Sequence, residues 1–176
     1  MYHTIVMTSG TSLFSLNNYF GNWTRSNGFF RFQGLNPLLH SEEEAKAIQS
    51  WLSAAHPLIV KREWDPESVS AEYSMLYALK KLNKLTDRPS VYLFHTETLG
   101  GVAAAKLLHR IITQDFSAAV QLIPVPINVA DRVALNRSLG EYMYRLSETL
   151  IQGHPSGTCF APIGGYKVMT SLGYIV

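Results

Sequence analysis

Four short, nearly continuous apolar runs separated by helical patterns set the strongest limit on how this chain can fold. The runs cover residues 4–7, 91–94, 120–125 and 158–161. They are rich in β-branched or aromatic residues and show little alternation between apolar and polar positions. This pattern is typical of strands that are buried on both faces of a parallel sheet. The sequence therefore predicts a core of parallel strands.

Helical patterns fill the intervals between these runs. Ser41 and Glu44 form a capping box at the start of one helix, and Ser70 caps a second. A third helix is predicted from about Thr98, and a fourth over about 131–151. Strands that alternate with helices predict an α/β fold, with a Rossmann-like, doubly wound, mostly parallel sheet and helices on both faces.

We expect a single domain over residues 1–176, with one irregular segment at about 17–40. This segment is rich in Asn, Gly and aromatic residues, and it contains Arg25 and Arg31 but no Asp or Glu. Two interpretations stay open. It is either a loop packed by its own aromatic rings or a lid whose rings and guanidinium groups face bases and phosphates.

The composition excludes several classes of protein. Apolar residues make up 47% of the chain and charged residues 16%, and the net charge of +2 is too small to predict stable binding of long nucleic acid. Cys159 is the single cysteine, and no apolar run approaches about 18 residues, so we expect a cytoplasmic protein without an internal disulfide or a membrane span. The six histidines lack metal-ligand spacing, and we expect no metal site and no cofactor.

Three of the predicted strands end in turns of small, polar or glycine residues. Because ligands bind at the carboxyl ends of the strands in a doubly wound sheet, these turns form the candidate site. Their candidate ligand-binding residues are Thr8, Ser9, Gly10, Thr11 and Ser12 after the first strand, His95, Thr96, Thr98 and Gly100 after the second, and Gly164, Gly165, Tyr166 and Lys167 after the last.

The chemistry of these turns suits an anionic ligand. Hydroxyls, backbone N–H groups and a following helix N-terminus suit a phosphate, the paired glycines allow close approach of the backbone, and Lys167 supplies a mobile positive charge. Each turn also has a plainer interpretation as a helix cap or a tight turn, and His95 as a hydrogen-bonded structural residue. None of the turns is a P-loop or a Gly-x-Gly-x-x-Gly fingerprint, so nucleoside triphosphates and dinucleotides are poor candidates.

Segments at both ends of the chain, and two between them, carry a family resemblance. Residues 5–13 hold a strand and a hydroxyl-rich turn, residues 164–167 read Gly-Gly-Tyr-Lys, and residues 70–76 and 94–101 form a helix start and a strand-end turn. In this order they resemble the CARF-domain family of type III CRISPR ancillary proteins, which are Rossmann-fold sensors and ring nucleases. The chain departs from the family at Ile163, where many relatives have a threonine, and in the long aromatic segment.

The resemblance implies a cyclic oligoadenylate ligand, with cyclic tetra-adenylate as the first expectation, bound across a homodimer. A two-fold dimer duplicates every donor, and a ring with an even number of identical nucleotides can share its axis. Family members either cut the ring or pass the binding signal to an attached effector. The chain ends nine residues after Lys167, so we expect a stand-alone ring nuclease. The alternatives are the sensor half of a larger CRISPR effector ribonuclease, without catalysis of its own, and an unrelated nucleotide-binding adaptor.

The ring-nuclease interpretation implies cleavage without a metal ion. The ribose 2′-hydroxyl attacks its neighbouring phosphate and leaves a 2′,3′-cyclic phosphate, while the protein holds the reacting atoms in line and stabilises negative charge. The catalytic candidates are Lys167, for the charge, and Thr11 or Ser12, for the position of the ribose or phosphate. No general base is evident in the sequence.

Overall fold

A four-stranded parallel sheet forms the centre of the protein. The computed structural model describes residues 1–29, 41–127, 132–165 and 167–173. Within these ranges the strands are β1 (Tyr2–Thr8), β2 (Leu85–Thr96), β3 (Ala119–Val125) and β4 (Thr158–Ala161). Their spatial order is β3-β2-β1-β4. Each strand contains one of the predicted apolar runs, and the α/β fold class with a parallel sheet is confirmed.

Six α-helices occur in the described ranges: α1 (Tyr19–Ser26), α2 (Glu42–Lys61), α3 (Ala71–Lys81), α4 (Leu99–Phe116), α5 (Arg132–Gln152) and α6 (Lys167–Gly173). Ser41 and Ser70 cap α2 and α3 as predicted, and Thr98, near which the third helix was predicted to begin, caps α4. The side chains of Ser41, Ser70 and Thr98 accept backbone N–H bonds at 3.1, 3.2 and 3.1 Å. None of the helices in the described part of the chain is long and apolar enough to cross a membrane.

The first part of the segment predicted to be irregular is helical instead. Within α1, Phe20 is fully buried, with its ring centroid 5.3 Å from that of Trp64. Thr24 is also buried, and its hydroxyl accepts the indole N–H of Trp51 at 3.1 Å. Tertiary packing of this face therefore overrides the weak helix propensity of the neighbouring Asn and Gly residues.

The two open interpretations of the aromatic segment receive unequal support. Trp23 stacks on Phe29 with ring centroids 6.0 Å apart, so these rings pack on each other. In the described part of the segment, this stacking and the buried Phe20 favour the interpretation in which the aromatic rings pack, rather than the lid. Residues 30–40, which include Arg31, lie outside the described residues, so the lid remains a prediction.

The direction of chain winding reverses between β1 and β4. The chain runs outward from β1 through β2 to β3, and then returns to add β4 on the other side of β1. Because crossovers between parallel strands are right-handed, this reversal places the later helices on the opposite face of the sheet from the earlier ones. The position between β1 and β4 is the topological switch point, where open α/β sheets bind their ligands.

Two apolar cores confirm that the sheet is covered on both faces. Ile5 and Met7 of β1 belong to the core that contains buried residues of α1 to α4. Val6, between them, belongs to the second core, which contains Tyr142 of α5 and Met169 of α6. The alternation along β1 therefore sends successive side chains into different cores, which explains why its sequence is continuously apolar.

Candidate functional site

The turns that follow β1 and β4 touch each other at the switch point. The Gly164 N–H donates a hydrogen bond to the Thr8 carbonyl oxygen at 3.1 Å. A methyl group on Gly10 would lie 2.5 Å from the backbone nitrogen of Gly165, which itself has a φ of +88°. Only glycine fits such a close approach of two backbones, so three of the predicted glycines are explained by the contact between the turns.

A buried carboxylate, that of Glu72 on α3, lies against both turns. Its Oε1 accepts the Gly10 N–H at 2.9 Å, and its Oε2 accepts the Ser12 hydroxyl at 3.2 Å. The residue is fully buried, and a methyl group on Gly164 would collide with Oε1. Glu72 therefore ties the two turns to the start of α3.

Glu72 is absent from the site residues predicted from the sequence, although a signal for it exists. It precedes Leu76 by four positions and Leu79 by seven, so it lies on the apolar face of its helix. An acidic residue in the first turn of a helix is also favoured by the helix dipole, which gives Glu72 an ordinary explanation. Only the fold shows that its carboxylate meets a strand-end turn.

The hydroxyls of Thr8 and Ser9 are the unsatisfied polar groups of the site. The two residues are 0% and 1% exposed, and neither hydroxyl has a hydrogen-bond partner among the described residues. Buried polar groups almost always have a partner, so two adjacent hydroxyls without one mark this turn as unusual. The neighbouring backbone donors are already engaged: the Ser9 N–H donates to the Phe94 carbonyl oxygen at 2.7 Å, and the Gly10 N–H donates to Glu72.

The α-helix expected directly after the first turn is not formed there. Ser12–Phe14 is a single 3-10 turn, and α1 starts only at Tyr19. Thr11 flanks the 3-10 turn, and its side chain makes no capping bond. A helix N-terminus therefore adds no positive potential at this turn.

The turn after β2 is built mainly as the cap of α4. The Thr96 and Thr98 hydroxyls lie 2.9 Å apart, and Thr98 accepts the Gly101 N–H at 3.1 Å. Both threonines are buried, and a methyl group on Gly101 would collide with the Thr96 hydroxyl oxygen. Thr96, Thr98 and the buried Gly100 therefore have structural roles, whatever they contribute to a ligand.

His95, at the carboxyl end of β2, is a buried neutral base. Its Nδ1 lies 2.9 Å from the Thr96 carbonyl oxygen, which only accepts hydrogen bonds, so Nδ1 carries the proton. Burial, with a smaller contribution from the charge of Lys106, lowers the pKa of His95 below its usual value, against the opposing effect of the Thr96 hydrogen bond. His95 therefore has the structural role that the sequence left open, that of a buried residue hydrogen-bonded to the backbone.

The cationic side chains predicted for the site, Lys167 and Arg25, lie on different elements of the fold. Lys167 is the first residue of α6, two positions after Gly165, and it is exposed. Tyr166 lies outside the described residues. Arg25, proposed as part of a lid, is exposed on α1. Of these two cations, Lys167 is the one that comes directly after the turns of β1 and β4 that touch each other.

Comparison with protein families matches part of the chain to a CRISPR-associated family. The family model described as CRISPR-associated protein (Cas_APE2256) matches residues 67–176, which is more than half of the chain. The matched region contains Glu72, the turn after β2 and the turn after β4, while the turn after β1 precedes it. No curated protein matches the chain significantly.

Proposed function

We propose that this chain, which belongs to the Cas_APE2256 family of CRISPR-associated proteins, binds a cyclic oligoadenylate and cleaves it as a metal-independent ring nuclease. The CRISPR association and the doubly wound α/β fold agree with the resemblance to CARF domains. Cyclic tetra-adenylate is the first ligand to test. Cleavage of such a ring would end a type III CRISPR signal.

The observation that carries this proposal is the contact between the β1 and β4 turns at the switch point. The contact brings together the buried hydroxyls of Thr8 and Ser9, which have no partner among the described residues, the half-buried hydroxyl of Ser12 and the turn that leads to Lys167. A nucleotide ring offers the complementary groups, because each unit carries ribose hydroxyls and an anionic phosphate. Hydroxyls and one flexible cation, without a phosphate-binding helix at this turn, suit a diester better than a triphosphate.

The cleavage we propose is an internal transfer of the phosphoryl group. The 2′-oxygen of one ribose bonds to the adjacent phosphorus, and the bond from that phosphorus to the 5′-oxygen of the next unit breaks. The proton lost by the 2′-hydroxyl is matched by one that the departing 5′-oxygen takes from water. Lys167 stabilises the negative charge that builds up on the phosphate oxygens, and Ser12, with Thr11 beside it, holds the ribose in line.

A homodimer is part of this proposal. Each chain supplies one set of hydroxyls and one Lys167, and a two-fold axis through the ring presents two such sets to an even-numbered ligand. Sedimentation at micromolar concentration should show a dimer. A chain that stays monomeric with saturating cyclic tetra-adenylate contradicts this arrangement.

The decisive experiment follows binding and cleavage of labelled cyclic tetra-adenylate in the presence of EDTA. We expect tight binding, followed by a linear product that ends in a 2′,3′-cyclic phosphate. Tight binding that leaves the ring intact contradicts the ring nuclease and favours the sensor alternative. Absence of binding to rings of four and of six adenylates contradicts both.

A further inference from the structure

We propose that Glu72 turns the Ser12 hydroxyl into an acceptor that reads the 2′-hydroxyl of the bound ribose. The inference rests on the proposed function, because it assumes a nucleotide ring at the contact between the β1 and β4 turns. It adds a specificity-determining residue, Glu72, which acts through Ser12. It also adds a consequence, which is selection of ribose over deoxyribose at the binding step.

The direction of the hydrogen bond between Ser12 and Glu72 follows from the chemistry of the two groups. A carboxylate has no hydrogen to donate, so the Ser12 Oγ donates its hydrogen to Oε2 over the 3.2 Å between them. The lone pairs of Oγ then remain for a ligand. Ser12 is half-buried, so a ligand can reach it, whereas Glu72 is fully buried behind it.

The orientation is fixed because Glu72 has little freedom to move. Its other oxygen, Oε1, accepts the Gly10 N–H at 2.9 Å, and Gly164 packs so closely that a methyl group there would meet this oxygen. A hydrogen bond to a charged group is stronger than one between neutral groups. The Ser12 hydrogen is therefore held by Glu72, and turning it towards a ligand would leave a buried carboxylate oxygen without its donor.

This arrangement disfavours a phosphate at Ser12. A phosphate oxygen needs a donor, and the Ser12 hydrogen is already engaged. A phosphate bonded to Oγ would also lie within roughly 6 Å of the Glu72 carboxylate, since both hydrogen bonds are about 3 Å long. Two negative charges at that separation repel each other strongly in a partly buried site. Ser12 is therefore matched to a neutral hydroxyl of the ligand, and Lys167 binds the phosphate instead.

The ribose 2′-hydroxyl is the donor that fits. It is present on every unit of a ribonucleotide ring and absent from the deoxy ring. A site built to pair with a ligand hydroxyl discriminates strongly against the analogue that lacks it, because its own polar group is then left without a partner. The 2′-oxygen is also the atom that attacks the phosphorus, so the same contact places the nucleophile.

The test compares binding of two rings that cannot be cut. In both rings methylene groups replace the 5′-oxygens. One ring keeps its 2′-hydroxyls and the other has hydrogen at every 2′ position. The dissociation constants of both are measured by calorimetry for the wild type, for Glu72→Gln and for Ser12→Ala. Glu67→Gln, on an exposed residue of the same segment of chain, is the matched control.

We expect the wild type and Glu67→Gln to bind the hydroxyl ring at least ~10-fold more tightly than the deoxy ring, as loss of a hydrogen bond within a charged network predicts. Ser12→Ala should bind the two rings within about threefold of each other, because it removes the acceptor. Glu72→Gln should reduce the preference but not remove it, since a Gln side chain can donate to Oγ and occupy one of its lone pairs, while the freed Ser12 hydrogen can still donate to the 2′-oxygen. Ser12→Ala provides the same test if Glu72→Gln unfolds.

Two other outcomes would overturn the inference and are distinguishable from each other. If the wild type binds both rings tightly and equally, or if Ser12→Ala keeps the full preference, the Glu72–Ser12 pair does not read the 2′-hydroxyl, while the proposed function stands. If the wild type binds neither these rings nor natural cyclic tetra-adenylate, the proposed function fails, and this inference fails with it.

Discussion

The hydroxyl of Tyr142 donates a hydrogen bond to the main-chain oxygen of Met169 at 3.1 Å, and this bond joins α5 to α6. Both residues are fully buried, and burial raises the pKa of Tyr142 to about 12, so the hydroxyl keeps its proton at any ordinary pH. Because α6 begins at Lys167, the bond helps to fix the helix that carries the proposed charge-stabilising residue.

Replacement of Tyr142 by Phe should therefore lower stability and cleavage together. The aromatic ring keeps its edge contact with Phe94, whose centroid is 5.7 Å away, so the change removes only the hydrogen bond. We expect a loss of about 1 kcal/mol in the free energy of unfolding, measured in urea, and a slower cleavage of the ring. Tyr144→Phe is the control, because that side chain is exposed and its hydroxyl donates to the side chain of Glu148 on the same helix. Equal losses in the two variants would show that the bond to Met169 has no special importance.

The glycines of the chain offer a matched pair of substitutions with opposite expected effects. A methyl group on Gly164 meets Glu72 and lies 2.5 Å from the Gly10 nitrogen, whereas one on Gly140 in α5 has no neighbour within 4 Å. Gly164→Ala should lower the melting temperature and abolish ligand binding. Gly140→Ala should raise stability by about 0.5–1 kcal/mol and leave binding unchanged, since alanine favours the helix. Normal ligand affinity in Gly164→Ala would contradict the placement of the site.

Removal of the Lys167 charge should slow cleavage more than it weakens binding. Negative charge on the phosphate oxygens is greater in the transition state than in the bound diester, so a cation there stabilises the transition state more. We expect Lys167→Ala to lower the single-turnover rate by roughly 10- to 100-fold, as for one charge-assisted contact. Lys46→Ala, at an exposed residue of α2, should change neither quantity. Equal losses in rate and affinity would mean that Lys167 only holds the ligand.

The buried His95 should make the protein less stable in mild acid. Its pKa in the folded state is lowered by burial, so the unfolded chain binds the proton more readily. Stability is therefore full above the unfolded-state pKa of about 6.5 and falls as the pH drops from there towards the folded-state pKa. His95→Asn, which cannot titrate, should show a smaller loss of unfolding free energy between pH 8 and pH 5. Parallel curves for the two proteins would show that His95 is not responsible.

The strands were predictable because burial on both faces leaves a continuous apolar signature in the sequence. Val6 and Phe94 face one core, while Ile5, Met7 and Leu93 face the other, so the central positions of these two strands are apolar on both faces. The turns were predictable for a related reason: the first small, hydroxyl or glycine residues after a continuous apolar run mark the end of the strand.

The helix α1 and the role of Glu72 were not predictable in the same way. The residues of α1 are poor helix formers, and the helix depends on the burial of Phe20, which becomes evident only when Trp64 is in place. Glu72 is separated by about sixty positions from the groups it binds, and no local pattern joins a helix start to a strand-end turn at that distance. Both cases depend on contacts that the fold creates.

The pairing of β1 with β4 has a consequence for how the protein acquires its function. Thr4 lies opposite Thr158, so the candidate site is closed by strands from the two extremes of the described chain. Parallel pairing across so long a loop carries a high closure entropy and forms slowly. In refolding, circular dichroism should therefore recover before ligand binding, and simultaneous recovery would argue against this order. During synthesis, β1, β2 and β3 emerge from the ribosome first, and the proposed site remains incomplete until β4 has followed.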